Sequence, residues 1–252
     1  MSENREMLVD TATTVFGQAM TAGFAPIAEA GFASLLISEA DGGFGGDWGD
    51  VFAVVRIAGF KALDLPVGQT IVAAKLLSDA GEAITHGPLT LDDRQFGAFI
   101  RVALAAGALD AALAMSIDHV NTRQQFGKPL GKFQAVQQSL AVFAVEAAAV
   151  NVAGAAAAAA LDCGDASFEI AAAKLRTNMA IGIGTGIAHQ VHGAIGFTRD
   201  YPLHPLTRSL MRWRSECGND AYWSGVLGGL ACATNGAGLW AEMTRRGDSG
   251  RG

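Results

Sequence analysis

The stretch Arg123-Gln-Gln125-Phe126-Gly127-Lys-Pro129-Leu130-Gly-Lys-Phe133-Gln134-Ala-Val-Gln137-Gln138 separates two long apolar runs, and its reading decides the fold. Upstream of it, Phe99, Val102, Leu104, Leu109, Leu113 and Ile117 recur at helical spacing, which predicts one long helix over 94–124 with these residues on its buried side. Downstream, a second helix is expected over 132–162 and a third over 167–193. Asp165 and Ser167 are cap-type residues at the start of the third, and Glu169 sits in its first turn, where the helix dipole favours a carboxylate. Shorter helices are predicted over 205–214 and 220–236. Toward the N-terminus, residues 5–33 read as two short helices broken by Gly23 and Pro26 and ending at Ala30-Gly31. A short apolar segment from Leu35 then runs into Gly42-Gly43-Phe44-Gly45-Gly46, and the helical pattern resumes over 48–63 and 67–81. Period-2 alternation is almost absent. The chain reads as all-α, with helical blocks 1–81 and 93–243, a linker at 82–92 carrying a Gly87-Pro88 breaker, and a disordered tail at 244–252.

Composition narrows the classes. The chain of 252 residues is 50% apolar and only 17% charged, which suggests helix faces buried against other helices or other subunits. It has no uninterrupted apolar run of about eighteen residues, the length a membrane span needs. The Ala-rich stretch Ala144–Leu161 comes nearest, but Glu146 and Asn151 interrupt it and it reads as a packed helix. No secretory leader is evident, and Cys163, Cys217 and Cys232 are too far apart for a disulfide framework or a zinc site, so a cytoplasmic location is expected. A net charge of −6 without a Lys/Arg cluster argues against a nucleic-acid partner.

Each chemistry-bearing string has a plain structural reading. Arg123 at a helix C-terminus can cap carbonyls and complement the dipole. The glycine loop 42–46 lacks the Lys-Ser/Thr of a phosphate loop and serves as a turn. Gln190-Val-His192-Gly193-Ala194-Ile-Gly196-Phe197 allows close backbone approach at its glycines, and His192 reads as a satisfied helix-end histidine.

Taken together, the strings resemble the acyl-CoA dehydrogenase family. Residues 123–137 resemble its R-x-x-F-G-K-x-(L/I)-x-x-(F/H)-Q-x-x-Q, and residues 190–197 its Q-x-x-G-G-x-G-(F/Y), with Ala194 for the second glycine. Residues 38–45 are similar to P-x-x-x-G-G-x-G, with Ser38 in place of proline. The resemblance covers roughly 5–81 and 93–232 and implies an N-terminal helical domain and a C-terminal four-helix bundle, with the family's middle β-domain absent. It also implies FAD as cofactor. Arg123, Gln125 and Phe126 would contact the flavin dinucleotide, Arg123 reaching its pyrophosphate across a subunit interface. Gln190, Gly193 and Ala194 would pack against the flavin, and Asn219 replaces a threonine that touches it.

The implied activity is α,β-dehydrogenation of an acyl-CoA thioester, in which a carboxylate removes a proton and FAD accepts a hydride. Counted without gaps, Cys217 falls on the family's catalytic Glu, Glu216 on the aromatic before it, and Ile100 on the alternative base position. Either a one-residue adjustment makes Glu216 the catalytic base or a partner supplies it. The structural reading of Glu216 is a helix-end carboxylate paired with Arg212 or Arg214. The family also implies a homo- or hetero-oligomer with another subunit of its kind, as in heteromeric members acting on bulky CoA thioesters in lipid or steroid catabolism. An electron-transfer flavoprotein is the implied acceptor. The alternatives are a non-catalytic structural subunit of such a heteromer and a flavin-binding protein with different redox chemistry.

Overall fold

The computed structural model describes residues 3–233 and, beyond them, residues 238, 240, 241, 244 and 246. Among the described residues the order is α1 (Glu3–Ala22), α2 (Ala25–Glu29), α3 (Trp48–Phe60), α4 (Val67–Asp79), α5 (Arg94–Thr122), β1 (Gln124–Gln125), β2 (Lys128–Pro129), α6 (Gln134–Cys163), α7 (Ser167–His192), α8 (Leu203–Ser215) and α9 (Asp220–Ala233). The architecture is all-α apart from the two-residue hairpin β1–β2.

Aspartates mark the starts of α3, α5 and α7. Asp47 and Asp50 form a reciprocal capping box at α3, and the Arg5 guanidinium donates to both carboxylates at 2.6 Å, tying α1 to that end. Asp93 accepts the Phe96 N–H at 2.9 Å at the head of α5. Asp165 accepts the Ser167 N–H at 3.1 Å, so the capping carboxylate of α7 lies one residue ahead of the cap position, Ala166.

Helix α5 is the spine of the molecule. A single apolar core joins Phe16, Val54 and Ile71 of the N-terminal helices to Phe99 of α5, Phe143 of α6, Ile181 of α7, Leu210 of α8 and Trp223 of α9. The closest approach is the crossing of α3 on α5. A methyl carbon added at Gly59 would lie 1.9 Å from the Leu104 carbonyl oxygen, and one at Gly107 1.8 Å from that of Arg56. Backbone therefore meets backbone in both directions. One turn on, Arg56 donates to Asp110 at 2.7 Å, and Asn151 of α6 donates to the same carboxylate at 3.2 Å. Residues 80–93 between α4 and α5 hold neither helix nor strand, and the Leu89 N–H pins them to Thr70 Oγ1 at 3.0 Å. No domain intervenes between the two helical blocks.

Several expectations shift. Pro26 does not break a helix; it lies in the first turn of α2, where its missing N–H is not needed. Pro205 is likewise inside the first turn of α8, which starts at Leu203. Ile117 is 43% exposed, because the buried stripe of α5 runs on through Ser116 and Val120, one position round the helix. The expected end of the last helix at 234–236 lies outside the described residues, as does the expected tail at 244–252 except for Thr244 and Arg246.

Helices α5 and α6 are both long and apolar enough to cross a membrane by length and composition. The fold treats them differently. The most apolar window of α5 is 72% buried, whereas that of α6 is only 28% buried. Val142, Val145 and Val152 are exposed along the middle of α6, among exposed alanines.

Candidate functional site

Arg123 is the C-cap of α5, and the chain turns at once into the hairpin. Phe126 and Gly127 form its two-residue turn at φ +53° and +78°, a pairing whose twist suits a tight hairpin. Left-handed φ at Phe126 is uncommon for a bulky residue, and it presents the ring at 90% exposure, edge-on to Phe133 at 6.1 Å. The Leu130 N–H donates to the Arg123 carbonyl at 2.9 Å and closes the loop. At the end of α7, Gly193 takes φ +63° and ψ −144°, a region open to glycine alone, and diverts the chain into a 3-10 turn over Gly193–Phe197.

These two turns face one cavity of about 560 Å³. Its lining includes Arg123 and Gln125 from one motif and Gln190, Gly193 and Ala194 from the other. Residues far apart in sequence thus converge, as positive fork, amide donors and bare backbone. Phe126 projects from the hairpin tip and does not line this cavity.

Two further lining residues, His119 and His192, were not singled out from sequence as ligand contacts. The signal was available for His119, one turn before Arg123 on the same helix face. The two rings stack at 4.5 Å between centroids, and Tyr201 meets His192 edge-on at 5.3 Å. His192 is only half satisfied: Nδ1 donates to the Ala188 carbonyl at 2.8 Å, while buried Nε2 has no partner among the described residues. Burial and the His192 ring, in that order, hold the His119 pKa below the usual imidazole range.

Glu216 lies elsewhere, at the C-cap of α8, in a depression of about 240 Å³ lined also by Asp64, Arg101 and Arg212. Arg101 Nε donates to one carboxylate oxygen at 2.5 Å, and Arg212 Nε lies 3.5 Å from the other. The expected partner Arg214 instead donates to Asp220 at 2.6 Å, because the chain turns away after Ser215. Arg212 also donates to Asp64 at 2.6 Å, and that bond is the main reason the Asp64 carboxyl titrates below its ordinary range. Ile100 is fully buried hydrocarbon. Cys217 sits at φ +56° against Gly97, and burial pushes its thiol pKa up, away from a reactive thiolate. Asn219 caps α9, accepting the Tyr222 N–H at 3.0 Å, and like Glu216 it is not among the residues lining the cavity.

Behind this turn lies the other feature the sequence reading missed. Lys174 is fully buried, and Nζ donates to Asn178 Oδ1 at 2.6 Å and to the carbonyls of Trp213, Gly218 and Arg214 at 3.1, 3.1 and 3.3 Å.

The sequence matches the family model "Acyl-CoA dehydrogenase, C-terminal domain" over residues 95–222. The chain belongs to the acyl-CoA dehydrogenase family. Among curated relatives, it is 31% identical to an acryloyl-CoA reductase (NADH) of Anaerotignum propionicum over 180 residues, 71% of this chain and 44% of that one. The chain spans less than half the length of the curated relatives it matches. Two solved assemblies share its fold. The ChsE4–ChsE5 complex from Mycobacterium tuberculosis matches with TM-score 0.80 at 15% identity, over 92% of this chain and 98% of that chain. The Tcur3481–Tcur3483 steroid ACAD matches with TM-score 0.82 at 19% identity over the same shares, 92% and 98%. At these identities the likeness is one of fold.

The family is FAD-dependent. The lining is of a kind a dinucleotide cofactor needs: Arg123 presents a guanidinium that matches phosphate oxygens, Gln125 and Gln190 present amides, and the glycine turn leaves backbone open to close approach.

Proposed function

We propose that this chain is a flavoprotein subunit of a heteromeric acyl-CoA dehydrogenase, completed by a second subunit of the same family. The reaction would be α,β-dehydrogenation of an acyl-CoA thioester in the cytoplasm, with steroid-type substrates and an electron-transfer flavoprotein as acceptor the family-level expectation. One observation carries this reading: the Arg123 hairpin and the Gly193 turn close on a single cavity. FAD, when bound, supplies the hydride acceptor. Arg123 would fork onto its pyrophosphate, Gln125 and Gln190 would hold its polar edge, and Gly193 and Ala194 would admit it closely. Phe126, presented to solvent on a left-handed turn, would pack against a group held by the partner. The bare apolar face of α6 supports assembly, since an exposed patch of this kind marks an interaction surface.

The test is flavin colour. Purified alone the chain should be colourless, and with its partner subunit it should show flavin absorbance. No flavin in either preparation would sink the reading. In the coloured complex, Arg123→Gln should weaken FAD binding about 10- to 100-fold, the loss of a charge-assisted bond worth roughly 1.5–3 kcal/mol.

For the base, the geometry favours the partner. Both Glu216 carboxylate oxygens face guanidiniums, Cys217 is a buried thiol, and Ile100 has no acid. Glu216→Gln should therefore leave turnover within about twofold of wild type while lowering the melting temperature. A loss of roughly 10²–10⁴-fold would instead make Glu216 the base.

A further inference from the structure

We propose that His119 is an anion contact of the flavin half-site and that His192, stacked on it, links that contact to a proton: a diphosphate bound in the cavity draws one proton onto the imidazole pair. This rests on the flavin reading of the cavity, which assigns no part to either histidine.

His119 is in the last turn of α5 and His192 is the last residue of α7, so both rings sit at helix C-termini, where a cation is favoured. Opposing this, the rings lie 4.5 Å apart and both cannot carry charge without strong repulsion. His192 is 5% exposed, and its Nδ1 is committed to the Ala188 carbonyl. Its Nε2 is sealed from solvent and has no partner among the described residues. His119, partly exposed on the cavity wall, is thus the ring that can meet a ligand, and His192 acts through it as a positioning residue.

The surrounding charges are few. On α5, Asp118 and Arg123 flank His119 with opposite effects, Arg123 the stronger. On α7, His189 adds a third imidazole, with His204 beyond it, and both oppose a charge on their neighbours. Tyr201 presents a ring edge to His192. The 3-10 turn before α6 contributes Leu130 and α6 contributes Ala135, Val136 and Ser139, none of which titrates. Among the described residues no carboxylate lines the cavity, so without a ligand only Asp118, outside the lining, offsets a second positive charge beside Arg123. A diphosphate brings two negative charges to the place where one added proton is otherwise disfavoured. Binding then raises the proton affinity of the pair, and affinity for the anion rises as pH falls through that window.

The experiment uses the full chain assembled with its partner subunit, titrated with FAD and with ADP-ribose from about pH 5.5 to about pH 8.5. Both probes carry a diester diphosphate whose charge is constant across that range, and ADP-ribose tests the cavity without the isoalloxazine. Affinity for both should weaken about tenfold between pH 6 and pH 7.5. Calorimetry in two buffers of different ionisation enthalpy should count close to one proton taken up per site by the wild-type protein. His119→Gln should flatten the profile at its weak limit. His192→Gln should move the transition to higher pH, because the stacked His192 ring is one of the groups that hold the His119 pKa down, a shift that a merely structural role would not produce. FAD binding with no proton uptake would overturn this inference and leave the flavin reading standing. Proton-linked binding of ADP-ribose with no binding of FAD would overturn the flavin reading and keep the anion site. Binding of neither would overturn both.

Discussion

Gly107→Ala should destabilise the protein by about 3 kcal/mol or more, lowering the melting temperature by roughly 6–12 °C for a chain of this size. The new methyl carbon would stand 1.8 Å from the Arg56 carbonyl oxygen and 2.6 Å from the Phe60 nitrogen. Both neighbours are backbone of α3, so no side chain can rotate away, and relief requires the helices to part. Parting them opens the core between Val54 and Val55 on one side and Ala103 and Leu104 on the other. It also strains the Arg56–Asp110 pair one turn on. Gly59→Ala should cost a similar amount, because its methyl would meet the Leu104 carbonyl oxygen at 1.9 Å. The double variant should cost much less than the sum, since the helices need to separate only once. Gly87→Ala, with open space around the added carbon, serves as the control and should stay within about 0.5 kcal/mol. Denaturant unfolding of the four proteins reads the outcome. Changes below about 1 kcal/mol at Gly59 and Gly107 would mean that α3 and α5 do not cross at backbone contact.

That crossing also shows where sequence reading stops. Helix type and approximate ends were legible because the apolar residues of α5 and the cap-type Asp165 at the start of α7 are local signals. Nothing local distinguishes Gly59 and Gly107 from other helical glycines; their role exists only once two helices cross. The same holds for the site. Resemblance assigned Arg123, Gln125, Gln190 and Gly193 to one cofactor, and their convergence on one cavity is a fact of packing. The hairpin of β1 and β2 was illegible because two-residue strands offer no alternation to read. The ion pair of Glu216 with Arg101, from α5, went unread in favour of Arg212 and Arg214, its neighbours in sequence. Ile117 failed for a subtler reason: the helical period fitted, but the stripe chose Ser116, a small polar residue that satisfies itself by donating to the Ala112 carbonyl at 2.7 Å.

Lys174→Met should cost about 3 kcal/mol at neutral pH, and the penalty should grow with alkalinity. Two effects compete at this site. Burial disfavours the ammonium and pulls the Lys174 pKa down to about 8. Against that, Nζ serves four acceptors, including the carbonyls of Trp213 and Arg214, which the end of α8 leaves without helical partners. Methionine removes the desolvation cost but orphans those acceptors at roughly 1–3 kcal/mol each, so the loss wins. The pH dependence follows from the direction of the shift. The unfolded lysine titrates near its ordinary 10.5 and the folded one at about 8, so between these values the unfolded chain binds more protons. Stability contributed by this group therefore rises with pH across that window, by up to about 3 kcal/mol, while a neutral amine still donates hydrogen bonds. The methionine variant has no such group. Denaturant midpoints of the two proteins at pH 7, 8 and about 9.5 should diverge. Parallel curves would mean that Lys174 stays charged throughout, held by its carbonyl cage. The lysine also anchors the turn at Gly218 next to Cys217 and Glu216, so the variant should loosen that turn and raise Cys217 reactivity toward thiol reagents. Unchanged reactivity in a folded variant would show that the turn is held by the Trp223 indole, which donates to the Cys217 carbonyl at 3.1 Å, and not by the lysine.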